Sequence, residues 1–174
     1  MVVRAVADLS AGAGMLVVIG CGNLNRCDDG AGVRVVHALR AHFGDALPSD
    51  VRLFDAGTGG MEVMFQARGA GALIVVDACR SDSDAGAIFR LPGCEIDGAH
   101  VPGYSLHDFR WDHAVHAGRC IFGAAFPDDL TVYLIEAGSL DLGTELTPPV
   151  GRAVDQVCER IAQGIHSRPA VMAT

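Results

Sequence analysis

Four short apolar runs rich in β-branched residues, Met15–Ile19, Val51–Phe54, Leu73–Val76 and Leu130–Ile135, alternate along the chain with stretches of helical periodicity. Each run is too short for a buried helix and ends at Gly, Asp or Ala, which is the pattern of strands buried on both faces. Between and after them, apolar residues recur at helical spacing. Val33, Val36 and Leu39 sit opposite Arg34, His37 and Arg40; then come Met61, Met64 and Phe65; then Trp111, Ala114, Val115 and Ile121; and finally Val150, Val154, Val157 and Ile161. Strand–helix alternation of this kind predicts an α/β fold, a three-layer sandwich with a mostly parallel, twisted central sheet flanked by helices. Ala87–Leu91 is a candidate fifth strand. The 174 residues suit one domain spanning 1–174, with surface loops at 44–50, 92–104 and 123–129 and frayed ends at 1–13 and 166–174.

The first strand runs into V-V-I-G-C-G-N-L-N-R-C-D-D-G-A-G (17–32), a glycine turn followed by two adjacent carboxylates, Asp28 and Asp29, before a helix. A phosphate loop would offer backbone N–H groups and a positive helix end to an anion, and two aspartates at that entrance repel one. The dinucleotide fingerprint also requires glycine at position 25, which is Asn25, and no G-K-[S/T] occurs. The turn therefore suits a cation, although either aspartate also serves as an ordinary helix cap. Three predicted strands end in acids, leading to Asp28 and Asp29, to Asp55 and to Asp77. In open α/β sheets that edge is where ligands bind. Carboxylates there supply hard oxygen donors, and His107, in the loop after a Gly- and Pro-containing stretch, would add the nitrogen that late divalent metals such as nickel or zinc prefer. Asp77 reads more readily as a residue fixing a neighbouring loop. Ser105 beside His107 is not a nucleophile, because no G-x-S-x-G elbow exists and the two lie only two residues apart. His113 and His116, at i and i+3, read as a polar helix face, His100 as a loop residue, and Trp111 as a core anchor.

The segment G-C-G-N-L-N-R-C-D-D-G-A-G-V-R-V-V-H-A-L, followed in order by L-F-D-A-G-T-G-G-M-E (53–62), A-L-I-V-V-D-A (72–78) and S-L-H-D-F (105–109), resembles the hydrogenase maturation endopeptidases. These cytoplasmic proteases trim the C-terminal tail of nickel-iron hydrogenase large subunits. The resemblance implies an endopeptidase that acts after nickel insertion and recognises nickel carried by the substrate, which would bind this protein weakly or transiently. It places the family's acidic ligand on Asp29 and its histidine ligand on His107, with Asp28 as a cap or supporting group. A third ligand falls by spacing on Gln66, a departure that replaces a charge with an amide, with Asp55 as the alternative contributor. Asp29 and His107 are then the catalytic pair, in an aspartyl-type or metal-dependent mechanism. A non-catalytic nickel-checking chaperone is the alternative, with hydrolysis lost through Gln66, and a nucleotide-binding protein using Gly20–Gly22 is a third.

Composition supports these expectations. The formal net charge is −8, and the 13 Lys and Arg residues are scattered, so neither nucleic acid nor a membrane surface is an expected partner. No apolar run spans a bilayer, and Asp8 interrupts any secretory core, which predicts a cytoplasmic protein. The six cysteines lack C-x-x-C pairing and read as reduced thiols, mostly core residues, with Cys21 and Cys27 flanking the motif. The expected partner is a hydrogenase large-subunit precursor, with no tight small-molecule cofactor.

Overall fold

The computed structural model describes residues 14–96 and 110–168. Its five strands are β1 (Leu16–Cys21), β2 (Val51–Gly57), β3 (Ala72–Cys79), β4 (Ile88–Pro92) and β5 (Asp129–Glu136), and its helices are α1 (Ala31–Phe43), α2 (Gly60–Ala67), α3 (Trp111–Phe122) and α4 (Pro148–His166). The sheet order is β2-β1-β3-β5-β4. All neighbours are parallel except β4, which runs antiparallel to β5 at the edge and ends at Pro92, where a missing N–H costs no ladder bond.

Alternation along the strands makes the two faces. Leu16, Val18, Ile74 and Val76 pack against Val35, Val36 and Leu39 of α1 and Val154, Val157 and Ile161 of α4. Val17, Ile19, Cys21, Leu73 and Val75 pack on the other face with Val63 and Met64 of α2 and Trp111 and Val115 of α3. The three-layer reading of the sequence is thus realised, with each strand contributing to two cores at once.

Arg168 donates to the Gly14 carbonyl at 2.6 Å and meets Asp50 at 3.3 Å, tying the residues just after α4 to the start of the sheet. Two expectations are corrected. Only Cys21 is a buried thiol. Cys27, Cys79 and Cys158 are half-buried, Cys94 and Cys120 are exposed, and all six are free. Asp28 neither caps α1 nor faces solvent, as shown below.

Candidate functional site

Because β2 lies to one side of β1 and β3 to the other, the carboxyl ends of β1 and β3 form the switch point of the sheet, where successive connections leave in opposite directions. A crevice of about 250 Å³ opens there, lined by Cys21 at the end of β1 and Gly22 after it, Asp29, Gly57 at the end of β2 and Thr58 after it, Gly60 at the head of α2, Asp77 and Ala78 of β3, and Arg110 and Trp111 at the head of α3.

The glycines of the first motif hold this geometry by letting backbones touch. Gly22 sits at φ +126°, and a Cβ there would collide with the Asp29 carbonyl oxygen. A Cβ on Gly32 would collide with the Val76 and Cys21 carbonyls, so the first turn of α1 can lie directly on β1 and β3 only as glycine. These are close-packing positions, and the nucleotide-binding reading of Gly20–Gly22 loses its basis.

The adjacent aspartates divide their work. Asp28 is wholly buried. Its Oδ2 accepts from Gly138 N–H at 2.9 Å, Ser139 N–H at 2.8 Å and the Thr147 hydroxyl at 2.9 Å, and its Oδ1 accepts from Thr147 N–H at 2.6 Å. It therefore anchors the loop leading into α4. Backbone bonds on either side complete the zipper, from Cys27 N–H to Gly143, Gly143 N–H to Asn25 and Asp28 N–H to Ser139. Cys27 is held at φ +42° within it. The same 27–30 turn rotates Asp29 to the other side, into the crevice, where among the described residues its Oδ2 accepts only the Asn23 N–H at 3.1 Å.

Asp77 is the second carboxylate of the crevice. Its Oδ1 accepts from Ala78 N–H at 2.8 Å. Burial pushes its pKa up to about 6, the nearby Asp29 charge adds to the rise, and the Ala78 N–H and Arg110 guanidinium oppose it. Cys21, on the crevice floor, is an inert thiol: burial, then the charges of Asp77 and Asp55, raise its pKa far above the usual range.

The other sequence-stated candidates fall elsewhere. Asp55 lines an adjoining hollow with Asn23, Leu24 and Asn25, and both of its oxygens are engaged, Oδ2 with His37 Nε2 at 2.9 Å and Oδ1 with Gly57 N–H at 2.9 Å. Gln66 is not among the crevice residues. It lies six residues beyond Gly60, about 9 Å along α2 at 1.5 Å per residue, in the last turn of that helix. Asp77, read from sequence as a loop-fixing residue, lines the crevice itself. The signal that finds it is topological: Asp77 ends the strand beside β1, whereas Gln66 follows the outer strand. His107, Ser105 and His100 lie outside the described residues. His113 Nδ1 accepts from Arg110 N–H at the start of α3.

Asp29 and Asp77 suit a hard or borderline divalent cation, which would relieve their mutual repulsion. Among the described residues no group of three or more His, Cys, Asp or Glu is arranged to hold a metal, so the two carboxylates need a further donor from elsewhere to complete a site. Among these residues, too, no helix is long and apolar enough to cross a membrane.

A family model described as hydrogenase maturation protease matches residues 33–164. The hydrogenase 2 maturation protease of Escherichia coli K12 is 31% identical over 152 residues, covering 87% of this chain and 90% of its own. The solved structure of the hydrogenase maturating endopeptidase HybD from E. coli superposes with a TM-score of 0.72 at 28% identity, over 87% of this chain and 92% of that one. The nickel-iron hydrogenase maturation protease HycI of Thermococcus kodakarensis shares the fold, at a TM-score of 0.68 and 20% identity, with 92% and 97% covered.

Proposed function

This chain belongs to the hydrogenase maturation protease family, and on that premise we propose that it is the endopeptidase that removes the C-terminal extension of a nickel-iron hydrogenase large-subunit precursor after nickel has been inserted. The single observation that carries the site assignment is the meeting of Asp29 and Asp77 in one crevice at the switch point of the sheet. Nickel arrives with the substrate. Asp29 and Asp77 offer it oxygen donors, and His107, whose motif S-L-H-D-F matches the family, is proposed as the nitrogen donor. Binding through the substrate's own metal fixes the tail relative to the crevice and turns hydrolysis into a positioned, effectively unimolecular event.

The two carboxylates also fit the proton traffic of peptide hydrolysis. Burial pushes the Asp77 pKa up to about 6 before nickel is bound, and a crevice carboxylate not taken up by the metal can accept a proton from water and return it to the leaving nitrogen. The chaperone alternative rested on loss of a site acid at Gln66; with Asp77 in the crevice that loss has no support. The cytoplasm is the proposed location.

The test is incubation of the purified protein with a nickel-loaded large-subunit precursor, followed by intact mass. Release of a discrete C-terminal peptide supports the reading. Stable binding without release establishes the chaperone instead.

A further inference from the structure

Met61, Phe65 and Ile121 are three of the four large apolar side chains that stay exposed among the described residues, and all three stand on α2 and α3. Met61 and Phe65, 43% and 52% exposed, are four residues apart and so share one face of α2. Phe65 rests on Phe122 of α3, with ring centroids 6.2 Å apart, and the Arg68 guanidinium lies over the Phe122 ring, 5.2 Å from its centroid. Ile121, 65% exposed, adjoins Phe122 in the last turn of α3. A cluster of this kind on a folded domain marks a contact surface.

Its position says what it contacts. Gly60 and Trp111 line the crevice and begin α2 and α3, so Met61 directly follows a lining residue, and Phe65 lies five residues past Gly60, about 7.5 Å along the helix. The other rim carries Asn23, Asn25 and the Asp55 carboxylate with its His37 partner. The apolar part of a protein contact around the crevice therefore falls on the α2 and α3 side. At about 200 Å² per large side chain, the exposed fractions leave roughly 300 Å² of apolar surface. That is well short of the roughly 800 Å² per partner of a stable interface. Two copies of a chain with a net charge of −8 also repel each other. A permanent dimer is thus a poor occupant. A contact of this size suits a partner that is held elsewhere at the same time and then released, and a substrate whose tail is anchored in the crevice meets that description.

We propose that Met61, Phe65, Ile121 and Phe122 form the docking surface for the folded body of the precursor, engaging an apolar patch beside the base of its C-terminal tail. The inference rests on the endopeptidase reading above. Tail in the crevice and body on the helices make one bivalent grip, in which each contact raises the effective concentration of the other. Because the body contact is the same before and during bond cleavage, it lowers KM and leaves kcat unchanged.

The experiment is steady-state cleavage of the nickel-loaded precursor by wild type, Phe65→Ser, Phe65→Leu and Ile121→Ser, with thermal unfolding and sedimentation velocity of each. The expected result is a KM raised about 10-fold in Phe65→Ser and about 3-fold in Ile121→Ser, with kcat within about twofold of wild type and most of the loss recovered in Phe65→Leu. Unchanged KM in Phe65→Ser overturns the proposal, as does a lowered kcat with KM intact, which would tie the face to the chemistry instead of to docking. A wild-type dimer that Phe65→Ser converts to monomer also overturns it and gives the face to a second copy. If Phe65→Ser fails to fold, Ile121→Ser decides. A wild type that binds the precursor and releases no tail sinks the endopeptidase reading alone, and the same series read as Kd then judges the docking. A wild type that neither binds nor cleaves sinks both, whereas a cleaving wild type with equally active variants sinks this inference alone.

Discussion

Replacing Asp28 with alanine should destabilise the protein by about 3–5 kcal/mol, and the structure sets that figure. The carboxylate accepts four hydrogen bonds, three from backbone N–H groups at Gly138, Ser139 and Thr147 and one from the Thr147 hydroxyl. Each net bond is worth about 1 kcal/mol, and a buried donor left without an acceptor costs about 1–3 kcal/mol. Partial entry of water into the loop 138–147 lowers the sum from its upper limit. For a chain of this size a loss of 1 kcal/mol lowers the midpoint by about 2–4 °C, so the midpoint should fall by roughly 6–20 °C. Asp28→Asn should be intermediate, about 1.5–3 kcal/mol, because its amide NH₂ must face a donor at either oxygen position. Urea titration and thermal unfolding by circular dichroism give both values. A loss below 1 kcal/mol in Asp28→Ala would refute the anchoring role and return Asp28 to a surface cap.

Asp77→Asn should raise stability by about 2 kcal/mol at pH 8. The Asp77 pKa of about 6 lies above the ordinary aspartate value of 3.8, so the penalty for burying its charge is present above pH 6 and absent below 3.8. The advantage should vanish when unfolding is repeated near pH 3.5, and an advantage that does not vary with pH would refute this cause. The same variant should lose processing by at least about 100-fold, as should Asp29→Ala, with the Asp29→Ala midpoint unchanged because among the described residues that carboxylate supports only the Asn23 N–H. Gly22→Ala should cost about 3 kcal/mol or more, since it combines a φ of +126° with a collision against the Asp29 carbonyl; wild-type stability would show that the turn relaxes freely. Gln66→Asp should leave nickel and zinc affinity within about twofold in a calorimetric titration, and marked tightening would restore position 66 to the site.

The strands were legible because a buried parallel sheet writes itself as short β-branched runs, and Leu16–Cys21 and Ala72–Cys79 leave no other reading. Asp29 was legible as a crevice residue because it follows the first strand at a glycine turn. What the sequence hid was three-dimensional. Nothing local distinguishes Asp28 from Asp29; the partners of Asp28 lie 110 or more residues away, and only the packed loop before α4 shows which acid is buried. The place of Asp77 in the crevice was hidden for a related reason: distance to that edge depends on which strand lies next to β1, and β3 does. Asp55 reached the correct edge and was taken by His37, a pairing that the helical phase of α1 creates.

Nickel dependence tests the account most directly. The large-subunit precursor, prepared with and without nickel, is incubated with this protein, and the C-terminal peptide is measured by intact mass over time. The account predicts release of one defined peptide from the nickel-loaded precursor and none from the nickel-free form, with release abolished in Asp29→Ala. Equal cleavage of both forms would contradict recognition through the substrate's metal, and a nickel-loaded precursor that stays intact would contradict the endopeptidase assignment.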